Sequence, residues 1–394
     1  MLNALCFAAL SAALSADPAF HGELIFTPND KHNHGSSIVQ APNGDLLACW
    51  FHGTGERKND DVLVQGARKR KGSDTWSEPF LMADTPNLPD CNPVLFVDPR
   101  GTLWLFWIAV MDNEWGGSLL KYRTSTSYTK DGPPEWDWQD VIHTRPLNIE
   151  TKFPEILAQT REKYADYLAK DTGLKNDLEA LEGQLTNKRT IRLGWMTRLH
   201  PIMLSDGSMM LGLYSDVWNC SLAAFTKDWG QTWEFSEPIA NADLGNIQPA
   251  FVVRKDGGIM CFMRDNGPPK LIRAAESMDN GRTWPKVWNL DIPNPGSSVE
   301  CIALESGTWL LICNDQLDGR HVLTAYLSED EGKTWPISRR IEDYKKDEAS
   351  ASYPSLMQLK GGDIHLTYSF KIEAERTSSI KHVTFNEEWV RAGK

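Results

Sequence analysis

Short apolar runs recur along most of the chain, each closed by a polar turn and answered by a second apolar run. Pro249-Ala-Phe-Val-Val leads through Arg-Lys-Asp-Gly-Gly into Ile259-Met-Cys-Phe-Met-Arg264, which reads as strand, tight turn, strand. The same arrangement pairs Ser37-Ile-Val-Gln with Asp45-Leu-Leu-Ala-Cys-Trp, and the run from Pro93 with the run from Thr102. It returns at Cys301 with Thr308 and at Pro354 with Ile364, so each pair reads as the inner half of a four-stranded blade. One stretch departs from this pattern. Over about residues 154–190 the apolar positions fall at helical spacing in two runs separated by Gly173, which predicts a helical hairpin inserted in a blade loop. Such an insertion serves as a capping or oligomer surface or, alternatively, as a lid over a pocket.

Three copies of one phrase punctuate the strands: Thr226-Lys-Asp-Trp-Gly-Gln-Thr-Trp233, Ser277-Met-Asp-Asn-Gly-Arg-Thr-Trp284 and Ser328-Glu-Asp-Glu-Gly-Lys-Thr-Trp335. Their closing tryptophans lie 51 residues apart, a period that marks a repeat architecture. The Asp accepts hydrogen bonds from its own turn, the Gly supplies a positive φ, and the Trp inserts a large ring between neighbouring units. These Asp residues are therefore read as structural. Degenerate versions at Gly72-Ser-Asp-Thr-Trp76 and Thr129–Trp136, with a final unit from Tyr353 to Tyr368, bring the count to about six. The expected fold is all-β, a six-bladed β-propeller carrying the helical insertion, with the strand near Leu24-Ile-Phe completing the last blade.

Composition narrows the chemistry. A chain of 394 residues, 41% hydrophobic, supports a large core, and a net charge of −12 argues against a nucleic-acid or anionic-membrane surface while leaving room for a local basic pocket. Residues 1–16 read as a secretory signal, too short to span a bilayer, so the propeller is assigned to 17–394 of an exported, periplasmic or extracellular protein. Cys49, Cys91, Cys220, Cys261, Cys301 and Cys313 form no CxxC pair and sit mostly in apolar runs, so buried free thiols are expected. No metal site and no cofactor is implied.

The staples and the phrases Ile247-Gln-Pro249, Phe262-Met-Arg264, Pro293-Asn-Pro-Gly-Ser-Ser298, Asp318-Gly-Arg320 and Ser352-Tyr-Pro-Ser355 resemble the sialidase superfamily, in its bacterial branch with Asp-box repeats. The resemblance covers the mature chain apart from the insertion and implies a propeller of sialidase type. It also implies an exo-acting glycosidase with arginines clamping a sugar carboxylate, a tyrosine nucleophile activated by a glutamate, and an aspartic acid as acid/base. Carried across, Arg264 and Arg320 match two of the three arginines, Tyr353 the nucleophile and Asp61 the acid/base, with Asp60 beside it. Two positions depart from the pattern. The first arginine's phrase is replaced by His32-Asn-His-Gly-Ser-Ser-Ile38, and the glutamate's position is Gln248, which cannot act as a base, so sialic-acid hydrolysis requires Glu56, Glu300 or Glu348 to substitute from another blade. His34, Arg57, Arg198 and His200, with Tyr353, could instead serve proton abstraction next to a carboxylate, which is lyase chemistry on a uronic acid. The expected partner is an acidic-sugar glycan, and a non-catalytic carbohydrate-binding propeller is the remaining alternative.

Overall fold

A computed structural model describes residues 17–393; the secretory segment read in residues 1–16 lies outside the described residues. Six antiparallel sheets stand around one axis, each built outward from an inner strand in chain order. The inner strands of blades one, two, four, five and six are His32–Gln40, Asp90–Val97, Asn246–Val253, Glu300–Ala303 and Ala349–Gln358. In blade three the inner strand is split into Met196–Thr197 and Ile202–Met203, both pairing with Met209–Ser215. The strand Phe20–Leu24 pairs with Thr377–Phe385 and completes blade six, so the two ends of the chain seal the ring and leave no long unpaired edge. This is the six-bladed propeller that the repeats predict.

Second strands lie sandwiched between neighbouring blades and are apolar on both faces; every residue of Leu103–Val110 is buried. Outer strands face solvent, as Trp138–Val141 does. The six cysteines among the described residues are buried and free. The staples sit between the third and fourth strands of their blades. In the one at Ser277–Trp284, Asp279 accepts from Thr283 N (2.9 Å), Thr283 Oγ1 (2.7 Å) and Ser277 Oγ (2.7 Å), closing the turn on itself. At Gly230, φ is +91° and an added Cβ would meet the Trp104 ring of the preceding blade at 3.1 Å, so both the turn and the blade contact require glycine.

The insertion is longer than a hairpin and starts earlier than predicted. It comprises four α-helices, Ile149–Lys163, Ala165–Leu168, Thr172–Gly183 and Lys188–Arg192, with Pro154 inside the first. It fills the connection between blades two and three. Ile149, Phe153 and Leu157 are buried, Phe153 meets Trp218 edge-to-face at 4.9 Å, and Tyr164 and Lys163 bond Asp243. The insertion thus packs behind the loop 216–219 at the end of Met209–Ser215 and does not close over the axis as a lid. No helix among the described residues is long and apolar enough to cross a membrane.

Candidate active site

Four inner strands carry the same irregularity at one mouth of the central channel. Their pairing slips between His34 and Ser37, Cys91 and Val94, Ile247 and Ala250, and Ser352 and Ser355. At each slip one residue has a positive φ: Gly35 at +65°, Asn92 at +52°, Gln248 at +59° and Tyr353 at +61°. A bulge of this kind re-aims a side chain, and holding a non-glycine residue there costs of order 1–3 kcal/mol, a strain concentrated at functional sites. Three of the four are followed by proline, in Asn92-Pro93, Gln248-Pro249 and Tyr353-Pro354. The bulges bring Asn92, Gln248 and Tyr353 to the wall of a single cavity.

That cavity, of about 190 Å³, is lined by His34, Glu56, Asn92, Trp115, Tyr214, Asp216, Gln248, Arg264, Arg320 and Tyr353. Tyr353 meets four of these side chains. Its hydroxyl accepts from Arg264 Nη1 at 2.8 Å and from Gln248 Nε2 at 3.3 Å. The Arg320 guanidinium lies 5.1 Å from the ring centroid, and the His34 ring stands 4.2 Å away. Arg320 is steadied by Gly296 O (2.9 Å), while Asn92 Nδ2 donates to Tyr214 Oη (2.9 Å). The loop after Arg264 is fixed by Asp265, which accepts from Gly267 N and from the buried Arg273.

Electrostatics separate the ionisable groups into distinct states. Burial pushes the Tyr353 phenol up, but Arg264, Arg320 and the Gln248 amide outweigh it and hold the phenol below its ordinary value. Burial likewise raises the Asp216 carboxyl, with Glu56 adding to the rise and Arg264 and Arg57 opposing it; the net direction is upward, towards the protonated acid. Its Oδ1 has no hydrogen-bond partner among the described residues. Glu56 moves the other way, since burial is overcome by His32, Arg320 and Arg57, and its carboxylate lies 3.3 Å from His32 Nε2. His34 is kept neutral by burial and by the surrounding cations. Two carboxyl groups in one cavity with values pushed apart is the arrangement that acid/base chemistry requires.

The structure gathers Tyr353, Gln248, Arg264, Arg320 and His34 and disperses the other predicted residues. Asp61 is exposed outside the cavity, its carboxylate taken by Thr54 N and Oγ1 (2.7 Å to the latter), which corrects its reading as the acid. Arg57 pairs with Glu114 at 3.4 Å and covers Trp115, so it bears on the cavity only through its charge. Arg198 is fully buried beneath Tyr353 and donates to Ser36 O, Tyr353 O and Pro354 O, pinning the bulge instead of meeting substrate. His200 is partly exposed and lines a different hollow, of about 520 Å³, where it is bound to Glu300 (2.8 Å) and Ile38 O (3.0 Å). These two side chains from the split strand of blade three bond across the axis to blades one, five and six, and so plug the channel beneath the cavity, leaving it blind. Glu56 is the carboxylate present where Gln248 fails; Glu300 is committed to the plug.

Asp216, Tyr214, Asn92 and Trp115 escaped sequence reasoning. Asn92-Pro93 repeats the pattern of the other two bulges and was a usable signal, whereas Asp216 sits in a loop with no motif of its own. No group of three or more potential metal ligands occurs among the described residues.

The family profile of the BNR repeat-like domain matches residues 44–153 and 158–366. No curated protein matches the chain. Among solved structures it is similar to a protein of unknown function from Dyadobacter fermentans, 15% identical, with 93% of this chain and 97% of that one covered at a TM-score of 0.68. It is similar to a leech intramolecular trans-sialidase, 13% identical over 94% of this chain and 71% of that one, TM-score 0.68. An α-L-arabinanase of Penicillium chrysogenum is 15% identical over 96% of this chain and 100% of that one, TM-score 0.60. At such identities the likeness is one of fold, a propeller shared with glycoside hydrolases.

Proposed function

Because the chain belongs to the BNR repeat-like domain family, and its propeller is of the sialidase type, we propose that it is an exo-acting glycoside hydrolase removing a terminal acidic sugar. The observation that carries this reading is the Tyr353 phenol, held below its ordinary value between Arg264 and Arg320 in a blind cavity. A blind cavity admits the end of a glycan and not its middle. The two guanidinium groups suit a carboxylate, which planar forks bind with paired hydrogen bonds.

In the proposed reaction Glu56 takes the phenolic proton and Tyr353 Oη bonds to the anomeric carbon. The bond to the leaving oxygen breaks as Asp216 gives that oxygen its proton. Water then attacks the glycosyl-tyrosine, returning a proton to Asp216, and Tyr353 leaves as a phenolate that recovers its proton from Glu56. Asp216 takes the acid/base role first assigned to Asp61.

The test is a panel of fluorogenic sialosides and uronosides with ultraviolet absorbance followed in parallel. Tyr353→Phe is expected to abolish turnover while sugar binding persists, and full activity in that variant removes Tyr353 from the mechanism. An unsaturated, ultraviolet-absorbing product would instead identify a lyase, and saturable binding without product a lectin-like propeller.

A further inference from the structure

A second cavity, of about 1080 Å³, lies in the notch between the insertion and the outer edge of blade three, and shares no residue with the catalytic one. The notch exists because blade three's outer strand, Glu234–Phe235, is only two residues long. The segment that leaves blade two takes over its edge, with Leu147 N donating to Ser236 O at 2.9 Å.

Cations converge here from three separate stretches of chain: Arg145 from that segment, Lys188 and Arg192 from the last helix of the insertion, and Arg282 from the blade-four staple. Among the described residues only two carboxylates line the same walls, Glu150 and Glu234, and Glu234 is already paired with Arg282 at 2.7 Å. Arg145, Lys188 and Arg192 are exposed and have no side-chain ion pair or hydrogen bond among the described residues. In a chain with a net charge of −12, a concave surface with this excess of unpaired cations runs against the field of the whole protein. The half-buried Trp233, which also packs on Phe106 and Tyr122, adds aromatic surface to the groove's wall, and an indole of this kind can stack on the face of a sugar.

We propose that this groove is a binding site for a carboxylated polysaccharide chain, separate from the catalytic cavity. Arg145 and Arg192 grip carboxylates through paired N–H donors, Lys188 adds a point charge, and a sugar ring lies on Trp233. The acidic remainder of the surface repels anions that do not fit the groove. The proposal rests on this groove's own charge and shape and stands whether or not the catalytic reading holds.

The test is affinity electrophoresis of the whole protein through gels containing polygalacturonate, its fully methyl-esterified form, or a single-stranded oligothymidylate. Retardation by polygalacturonate alone is expected, fading as salt rises because the contacts are ionic. The triple variant Arg145→Gln, Lys188→Gln, Arg192→Gln should weaken it at least about tenfold, since each lost charge-assisted contact counts separately. Its thermal melt and its turnover of a small fluorogenic substrate should be unchanged. Retardation that survives the triple substitution, equal retardation by the methyl ester, no retardation at all, or preferential binding of the oligonucleotide would each overturn the assignment.

Discussion

Asp216→Asn isolates the residue on which the proposed chemistry departs most from the sequence reading. The substitution keeps shape and removes the transferable proton. Because the amide keeps the volume of the carboxyl, and Asp216 Oδ1 has no hydrogen-bond partner among the described residues to lose, the melting temperature should move little. The kinetic effect is different. A positioned general acid contributes about 10²–10⁴-fold, or roughly 2.7–5.4 kcal/mol of barrier. That loss should appear in full on a substrate whose leaving group is an alkyl sugar oxygen, which departs only when protonated. On an activated phenol, which leaves without assistance, the loss should shrink to less than about tenfold. The assay is therefore kcat/KM for both substrate types, measured against pH. In the unmodified protein the rate should fall as pH rises through the Asp216 value, which lies above the usual 3.8, and this limb should vanish in the variant. Equal losses on both substrates, with the basic limb intact, would refute the assignment.

Two further outcomes follow from the scaffold. At the seam between blades six and one, Glu23 of the closing strand accepts from Lys69, Trp76 and His382, and His382 in turn meets His365 at 2.9 Å. His365 is lowered to about 4, chiefly by burial, and Glu23 to about 2, where its bonds to His382 and Lys69 outweigh burial. Both groups take up protons more readily in the unfolded chain, so stability present above pH 6.5 should decline as pH falls towards 4 and again towards 2, the His365 part by at most about 3 kcal/mol. Melts at stepped pH should show this, and His365→Gln should flatten the upper part; a melt independent of pH down to 4 would count against the seam. Separately, Asp279→Ala removes the acceptor that closes its turn and should cost about 1–2 kcal/mol in urea unfolding, with kcat unaltered, because the turn lies at the opposite end of the strands from the cavity.

The blade pattern was legible because its causes are local. The hydrogen bonds of each staple close within eight residues, the glycines answer to their own φ, and apolar alternation needs only a strand and its neighbour. Tyr353, Arg264 and Arg320 were legible through resemblance, and they converge because blades of one period place equivalent strand ends around one axis. The helical content of the insertion could be read from spacing, but its division into four helices and its docking depended on Trp218 and Asp243, distant in the chain.

The carboxylates were decided only in three dimensions. Asp61 follows a strand-connecting loop just as an acid residue should, yet Thr54, seven residues earlier, captures its side chain. Asp216 reaches the cavity because the loop behind it is propped by Trp218 against Phe153, a contact across more than sixty residues of sequence. Arg198 and His200 look like substrate ligands in the linear chain, and the split strand of blade three turns them into the channel's plug. The amino-acid order thus determined the ring and its repeat, since short-range hydrogen bonding and periodic burial are encoded segment by segment. Which acids face the hollow depended on how distant segments pack, and only the assembled blades specify that.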